Sequence, residues 1–411
     1  MKKRLTCGLY RNYRGAVLFV FSIALVALTG CATAKRHAVP ENLASSAHLA
    51  GLDNVRLELD VSNTNVIHRF SEFLKGWNAS GGADHRLNVL SLSGGGENGA
   101  YGAGLLCGWT EAKSRPQFDL VTGISTGSLI APLAFLGTNF DPQLRHGYTE
   151  IKPSQVFLQR GFFGVLKHRD ALADSAPLKQ LIAEILGEKE LAAIAREHRK
   201  GRRLLVMTTN LDAQKPVIWD IGAIACSSRT NALKVIHDVL LASSSIPVVF
   251  PPVLFHVEAG GAPYDELHVD GGVMAQVFGG MVLLTDAVQQ NPGTVTDFYL
   301  VRNGRLSPDY EATQRKLGSI AGRSISTMMK IQGVNDVMRL WALCRVKGGN
   351  FHYVSIPEDF QTELKEPFDP EYMKALFKVG YDQGRNGVPW QRAPAGLDEV
   401  EQRLGSANSR Q

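Results

Sequence analysis

The sequence predicts an α/β fold in which helices cover a mainly parallel central sheet. From Arg86 onward, short apolar segments of strand length alternate with longer segments whose apolar residues have helical spacing. Continuous apolar runs of this kind are typical of strands that are buried on both faces. The composition is that of an ordinary globular protein, with 44% hydrophobic and 20% charged residues. It excludes a collagen-like, disordered or multi-span membrane protein.

The alternation predicts the elements in a definite order. The first helix is predicted at residues 66–78, before a break at residues 80–83. Strands are predicted at residues 87–92, 118–124, 203–209, 217–221, 264–270 and 351–356. Further helices are predicted at residues 103–112, 128–136, 178–186, 235–244, 310–338 and 370–380. No internal repeat is visible in the sequence.

The first 30 residues are predicted to be a secretory signal peptide. Five basic residues and no acidic residue precede residue 31, and residues 15–30 form an apolar run. As a helix this run would reach only about 24 Å, which is short of a ~30 Å hydrocarbon core. A charged start followed by a short apolar run and small residues is typical of a signal peptide.

The end of the apolar run resembles a bacterial lipobox, Leu28-Thr-Gly-Cys31. This resemblance implies cleavage before Cys31, lipidation of the Cys31 thiol and anchoring to a bacterial membrane. Ala32, in place of Asp, implies an exported lipoprotein of the outer membrane that faces the periplasm. A plain signal peptide, or a signal anchor with a coincidental cysteine, is the alternative.

The predicted domain organisation therefore has four parts. Residues 1–30 are the signal peptide, and residues 31–80 hold the lipidated cysteine, a polar tether and the first helix. Residues 81–390 form the α/β domain, and residues 391–411 form a polar C-terminal tail.

Charge and cysteine content restrict the classes of partner and cofactor. Without the first 30 residues the formal net charge of +5 becomes zero, with 39 basic and 39 acidic residues. A neutral body gives no electrostatic reason to expect nucleic acid as a partner. Cys107, Cys226 and Cys344 follow Cys31 and allow at most one disulfide among themselves. No Cys or His group has the spacing of a zinc site. The sequence thus predicts no metal and no cofactor, and it does not identify a protein partner.

A glycine-rich loop follows the strand predicted at residues 87–92. Gly94, Gly95 and Gly96 precede a predicted helix and carry no side chain that would block approach to the backbone. Amides at a helix N-terminus suit an anion. That anion could be a nucleotide phosphate or the oxyanion of an acyl-transfer intermediate, because dinucleotide-binding loops also follow a strand.

The segment Gly123-Ile-Ser125-Thr-Gly127 favours acyl transfer. It has the G-x-S-x-G pattern, and it lies between an apolar strand and a helix. This is the setting of a nucleophile elbow, in which a sharp turn presents a serine hydroxyl. We therefore predict that Ser125 is a nucleophile.

A serine nucleophile needs a base, and Asp270 is the candidate. Asp270 ends a predicted strand and is followed by Gly271 and Gly272. An aspartate before a tight turn is also a common turn residue. The residues alone leave the role of Asp270 open.

In this order, the glycine loop, the G-x-S-x-G segment and the D-G-G segment resemble the patatin-like phospholipase family. Residues 209–217 and 242–252 agree with the family as well, so that the resemblance covers roughly residues 86–285. It implies a three-layer α/β/α sandwich and a hydrolase of membrane lipids or other lipid esters. By position, it implies Ser125 as nucleophile, Asp270 as base, and an oxyanion hole at Gly94, Gly95 and Gly96, with Gly99, Gly123, Gly127, Gly271 and Gly272 as flanking motif residues.

The glycine loop departs from the family pattern at one position. The family usually has Lys or Arg where this chain has Asn98. The amide group of Asn98 still offers hydrogen-bond donors. We expect this departure to affect the rate and not the class of reaction.

Two other functions remain open from the sequence. Ser125, Asp297 and His352 satisfy the chain order of an α/β-hydrolase triad, although Ser93 stands where those enzymes have a histidine before the glycines. The second alternative is a non-catalytic outer-membrane lipoprotein that binds lipid through a retained hydrolase fold. Turnover of an ester would distinguish it from an enzyme.

Overall fold

The computed structural model describes residues 36–60, 62–77, 86–161, 170–285 and 294–397, together with residues 164, 288 and 399. Residues 39–411 form one unit, and of the other unit, residues 1–38, only residues 36–38 are described. The predicted signal peptide and Cys31 lie outside the described residues. The predicted C-terminal tail lies outside them from residue 400 onward.

Within the described ranges, nine strands form one mixed sheet and two more form a separate pair. In chain order the strands are β1 (Arg56–Glu58), β2 (Arg86–Leu92), β3 (Leu120–Gly123), β4 (Leu158–Gln159), β5 (Ala173–Asp174), β6 (Arg203–Asn210), β7 (Lys215–Asp220), β8 (Val253–Ala259), β9 (Ala262–Asp270), β10 (Val295–Arg302) and β11 (Asn350–Ser355).

The sheet has a parallel centre and antiparallel additions. Its order is β1-β7-β6-β3-β2-β10-β11, and every pairing from β6 to β11 along this path is parallel. β7 and β9 both pair antiparallel with β6, β1 pairs antiparallel with β7, and β8 pairs antiparallel with β9. β4 and β5 form the separate pair.

Helices connect and cover these strands. In chain order they are α1 (Val66–Phe73), α2 (Gly99–Glu111), α3 (Thr126–Leu136), α4 (Asp141–Thr149), α5 (Ala176–Ile185), α6 (Glu188–Arg199), α7 (Ile221–Cys226), α8 (Ala232–Ser243), α9 (Leu317–Lys347) and α10 (Pro370–Arg385). Of the helices described, none is both long and apolar enough to span a membrane.

Two hydrophobic cores lie on the two faces of the sheet. Successive side chains of a strand point to opposite faces. Accordingly, Leu90 and Leu92 of β2 belong to one core and Leu87 and Val89 belong to the other. The first core is completed by α2–α8 and α10, and the second by α1 and α9. The predicted three-layer α/β/α sandwich with a mainly parallel sheet is confirmed.

Several strands and helices differ from the sequence prediction. β1, β4, β5, β8 and β10 were not predicted, and neither were α4, α6 and α7. β1, β4 and β5 are very short, and charged residues such as Glu258 and Asp297 interrupt the apolar pattern of β8 and β10. β10 is nevertheless central, because it pairs with β2 on one side and β11 on the other. The helix predicted from residue 310 begins at Leu317.

Candidate active site

Ser125 lies in the turn between β3 and α3 with an unusual backbone conformation. Its φ is 54° and its ψ is −127°, a region that a non-glycine residue adopts only at a cost. A Cβ atom on Gly123 would lie 2.4 Å from the carbonyl oxygen of Gly127, and one on Gly127 would lie 2.4 Å from that of Leu92. The turn therefore requires glycine at both positions, as the G-x-S-x-G pattern predicts.

The register of the sheet brings Asp270 to this turn. Gly123 of β3 pairs with Val206 of β6, and Asp270 of β9 pairs with Thr208, two residues farther along β6. β3 runs parallel to β6 and β9 runs antiparallel to it, so their C-terminal ends meet. The Ser125 side chain is close enough to Asp270 to act on its protonation. The two predicted residues are therefore neighbours.

The carboxyl group of Asp270 is completely buried. Oδ1 accepts a hydrogen bond from the Gly272 amide at 2.7 Å, whereas Oδ2 has no partner of ordinary hydrogen-bond geometry in the described part of the chain. Burial raises the pKa of Asp270 to about 7, although the Ser125 side chain and the Gly272 amide act to lower it. A carboxylate with this pKa can accept a proton near neutral pH.

The glycine loop passes directly beside the nucleophile. A Cβ atom on Gly94 would lie 3.2 Å from the Ser125 Cβ. The Gly94 amide donates to the backbone carbonyl of Gln276 at 3.2 Å, but the amides of Gly95 and Gly96 find no acceptor among the described residues. Of the three predicted oxyanion-hole amides, one is thus already engaged and two are available.

Asn303, which follows β10, holds the start of the glycine loop in place. Its side-chain amide donates to the Ser93 carbonyl at 2.8 Å, and its backbone amide donates to the Ser93 hydroxyl at 2.8 Å. The sequence did not point to Asn303, because β10 itself was not predicted. Asp297 interrupts the apolar run of β10, and nothing in the sequence indicates that this strand ends beside the glycine loop.

A run of serines at the end of α8 fixes the backbones of both predicted catalytic residues. The Ser243 hydroxyl accepts from the Ser125 amide at 3.1 Å and donates to the Met207 carbonyl at 2.8 Å. The Ser245 carbonyl accepts from the Asp270 amide at 2.9 Å. In the sequence, residues 242–252 were only part of a resemblance and carried no assigned role.

Asn98 contacts α10 rather than the nucleophile. Its Oδ1 accepts a hydrogen bond from the Tyr372 hydroxyl at 2.6 Å. Burial raises the pKa of Tyr372 to about 12, so that the hydroxyl remains a donor at neutral pH. The position that carries a cation in the resembled family thus ties the glycine loop to α10 in this chain.

In the alternative triad, Ser125 lies at the opposite end of the strands from Asp297 and His352. His352 Nε2 lies 2.9 Å from Asp297 Oδ1, so these two residues do form a pair. Asp297, however, pairs in register with Asn88 of β2, whereas Gly123 pairs with Leu92 at the other end of that strand. Four residues of strand correspond to about 13 Å. The His352–Asp297 pair therefore lies away from Ser125.

His268, two residues before Asp270 on β9, has partners other than Ser125. His268 is buried and contacts the Thr208 hydroxyl at 2.8 Å and Glu266 at 3.1 Å. These contacts belong to the structural network of β6 and β9. Nowhere in the described residues do three or more His, Cys, Asp or Glu side chains form a group that could hold a metal ion.

An apolar cavity opens beside the residue after the nucleophile. Its volume is about 60 Å³, and it is lined by Thr126, Leu133, Tyr148, Leu181, Ile185 and Phe368, among others. The Thr126 and Tyr148 hydroxyl oxygens lie 2.7 Å apart and satisfy each other. The cavity wall therefore presents hydrocarbon, which suits an acyl chain and not a polar group.

Comparison with known proteins identifies similar phospholipases. A sequence model of a family described as patatin-like phospholipase matches residues 90–278. A protein named cGAMP-activated phospholipase from Vibrio cholerae is 28% identical over 268 residues, which are 58% of this chain and 69% of that protein. A cUMP-AMP-activated phospholipase from Escherichia coli is 28% identical over 203 residues, 47% of this chain and 57% of that protein. Patatin-T5 from Solanum tuberosum is 26% identical over 204 residues, 46% of this chain and 49% of that protein.

Proposed function

Because the chain belongs to the patatin-like phospholipase family, we propose that it hydrolyses acyl ester bonds of lipids with Ser125 as nucleophile and Asp270 as base. The observation that carries this proposal is the meeting of the β3 and β9 ends. That meeting places a buried carboxyl group with a pKa of about 7 beside a serine in an elbow turn.

The reaction proceeds in two steps. Asp270 Oδ2 takes the Ser125 hydroxyl proton while Oγ bonds to the ester carbonyl carbon. The ester C–O bond then breaks, and the proton passes from Asp270 to the leaving alcohol. In the second step, water loses a proton to Asp270 and attacks the acyl-enzyme, which releases the fatty acid and returns the proton to Ser125.

The glycine loop stabilises the oxyanion of each tetrahedral intermediate. Gly95 and Gly96 are the donors that we assign, because their amides are not engaged within the described residues. Such fixed donors are usually the largest electrostatic contribution in acyl transfer. Gly94 serves mainly to bring the loop against Ser125, since its amide is bonded to Gln276.

The acyl chain of the substrate occupies the cavity beside Thr126. Its apolar lining favours a hydrocarbon chain over a polar group, because each buried methylene contributes about 0.8 kcal/mol. This supports membrane phospholipid or a related lipid ester as the substrate class.

Anchoring at a bacterial membrane is part of the proposal and rests on the sequence alone. Leu28-Thr-Gly-Cys31 supports an exported lipoprotein whose Cys31 is acylated. Incorporation of labelled palmitate should disappear in the Cys31→Ser variant. Unchanged incorporation would contradict the anchor without bearing on the catalytic site.

The decisive experiment is turnover of a chromogenic ester by the full chain and its Ser125→Ala variant. We expect the variant to lose at least ~10³-fold in kcat while its unfolding midpoint stays close to that of the original chain. Hydrolysis that persists in Ser125→Ala would refute the assignment of the nucleophile. A folded chain that turns over no ester would favour the non-catalytic alternative.

A further inference from the structure

The first half of α9 extends away from the hydrophobic cores. α9 has 31 residues, and its buried residues begin only at Gly333. The segment 317–332, which we call the arm, therefore contributes no buried residue to either core. A helix that buries nothing is marginal in water unless another surface supports it.

The apolar residues of the arm share one face. Leu317, Ile320, Met328 and Ile331 are each between 50% and 86% exposed. At the α-helical repeat they fall within an arc of about 80°. The buried residues of the second half, from Gly333 to Cys344, lie on the opposite side of the helix. The apolar face of the arm is thus directed away from the body of the protein.

The arm and the residues directly before it carry basic side chains and no acidic ones. Residues 312–335 contain Arg315, Lys316, Arg323 and Lys330 and no Asp or Glu. Arg323 and Lys330 are paired with Glu311 and Asp309 of the preceding loop, at 3.2 and 2.7 Å. These contacts hold the loop that carries the 95% exposed Tyr310 against the arm. A helix with an apolar face and a basic flank is typical of a helix that lies on a membrane surface.

The arm is also connected to the catalytic turn. The Gln332 side-chain amide donates to the carbonyl of Val273 at 3.0 Å. The methyl carbon of Met329 lies 3.0 Å from the position that a Cβ atom on Gly272 would occupy. A surface that binds the apolar face of the arm would therefore lie about one helix diameter, ~10 Å, from the Asp270-Gly-Gly turn.

We propose that the apolar face of the arm docks into the headgroup region of a bilayer rich in anionic phospholipid. A second copy of the chain is the less suitable occupant. Residues 312–335 carry no acidic side chain, and Asp309 and Glu311 of the preceding loop are already paired with Lys330 and Arg323, so that residues 309–335 of a symmetric partner offer no free carboxylate to the arm. An anionic lipid surface is attracted by the same charges. The inference concerns docking and does not depend on turnover.

The test uses the full chain with Ser125→Ala, so that no lipid is consumed. A Met328→Trp substitution reports on the arm, and Val295→Trp is the matched control. Val295 is 40% exposed at the start of β10, the strand whose other end adjoins the glycine loop. Vesicles contain equal parts of phosphatidylglycerol and phosphatidylcholine with brominated acyl chains, which quench only tryptophan that enters the bilayer.

We expect vesicles to shift the Met328→Trp emission to the blue and to quench it, and to leave Val295→Trp unchanged. The paired substitution Ile320→Asp with Ile331→Asp should weaken vesicle partitioning about tenfold or more, while Val295→Asp should not. Quenching should also weaken with phosphatidylcholine alone and at high salt.

Three results would overturn the proposal. The first is an absence of quenching at Met328→Trp with folding intact by circular dichroism. The second is unchanged partitioning of the Ile320→Asp, Ile331→Asp variant. The third is a blue shift of Met328→Trp that depends on protein concentration without vesicles, which would show that a second copy covers the arm. Every variant in this test also carries Ser125→Ala. The results are therefore independent of whether the chain hydrolyses esters.

Discussion

Replacing Asp270 with Asn should abolish activity and, above neutral pH, stabilise the fold. Asp270 is fully buried, and burial raises its pKa from 3.8 to about 7. A carboxyl group whose pKa is higher in the folded state binds protons more tightly there. Folding stability therefore falls as the pH rises from the unfolded to the folded pKa. The full difference corresponds to about 4 kcal/mol once the pH exceeds 7.

The asparagine variant removes this cost, because its amide has no charge to bury. Between pH 5 and pH 8, the free energy of unfolding of the variant should gain about 2–3 kcal/mol relative to the original chain. Over the same range, kcat/KM of the original chain should rise as Asp270 loses its proton. The variant should lose at least ~10³-fold in kcat at every pH, which is about 4 kcal/mol of transition-state stabilisation.

The measurements are urea unfolding at several pH values and ester turnover at the same values. Asp297→Asn is the matched control, since its partners hold the pKa of Asp297 down to about 2. The side chains of His352, Asn350 and Arg86 act in that direction, against burial. The control should lose stability at neutral pH and keep its activity within about tenfold. The reasoning fails if the stability difference of Asp270→Asn does not change with pH, or if Asp297→Asn loses activity as completely as Asp270→Asn.

Two further predictions follow from the contacts around Ser125. Ser243→Ala removes the acceptor of the Ser125 amide and should destabilise the fold by about 1–3 kcal/mol and lower kcat, as measured by unfolding and turnover. The Ser245 hydroxyl donates only to the Leu241 carbonyl of its own helix, so Ser245→Ala should change stability and kcat much less. Equal effects of Ser243→Ala and Ser245→Ala would contradict the role assigned to the Ser243 hydroxyl. Leu181→Trp fills the cavity and should reduce palmitoyl-ester turnover relative to butyryl-ester turnover by about tenfold, whereas Ile67→Trp on α1 should not alter that ratio. A ratio that stays constant in Leu181→Trp would place the acyl chain elsewhere.

The sequence by itself determined the features that depend on a few neighbouring residues. The turn at Ser125 has a φ of 54° and leaves no room for a Cβ on Gly123 or Gly127. These local requirements produce the G-x-S-x-G pattern, which is visible in the sequence. The central strands β2, β3 and β6 were likewise predictable, because burial on both faces produces continuous apolar runs. Strands with charged residues, such as β8 and β10, escaped this reading because their burial depends on partners distant in the chain.

Only the tertiary structure decided which of the candidate side chains meet. From the sequence, either Asp270 or the Asp297–His352 pair could serve Ser125 as its base. The register of β9 brings Asp270 beside Ser125, whereas the register of β10 puts Asp297 and His352 at the far end of the strands. Two hydrogen bonds at the site also join segments that are far apart in sequence. The Gly94 amide donates to the Gln276 carbonyl, and the Ser125 amide donates to the Ser243 hydroxyl. The pKa of Asp270 is set in the same way, since the apolar surroundings that raise it are assembled only when the sheet and its covering helices close around the carboxyl group.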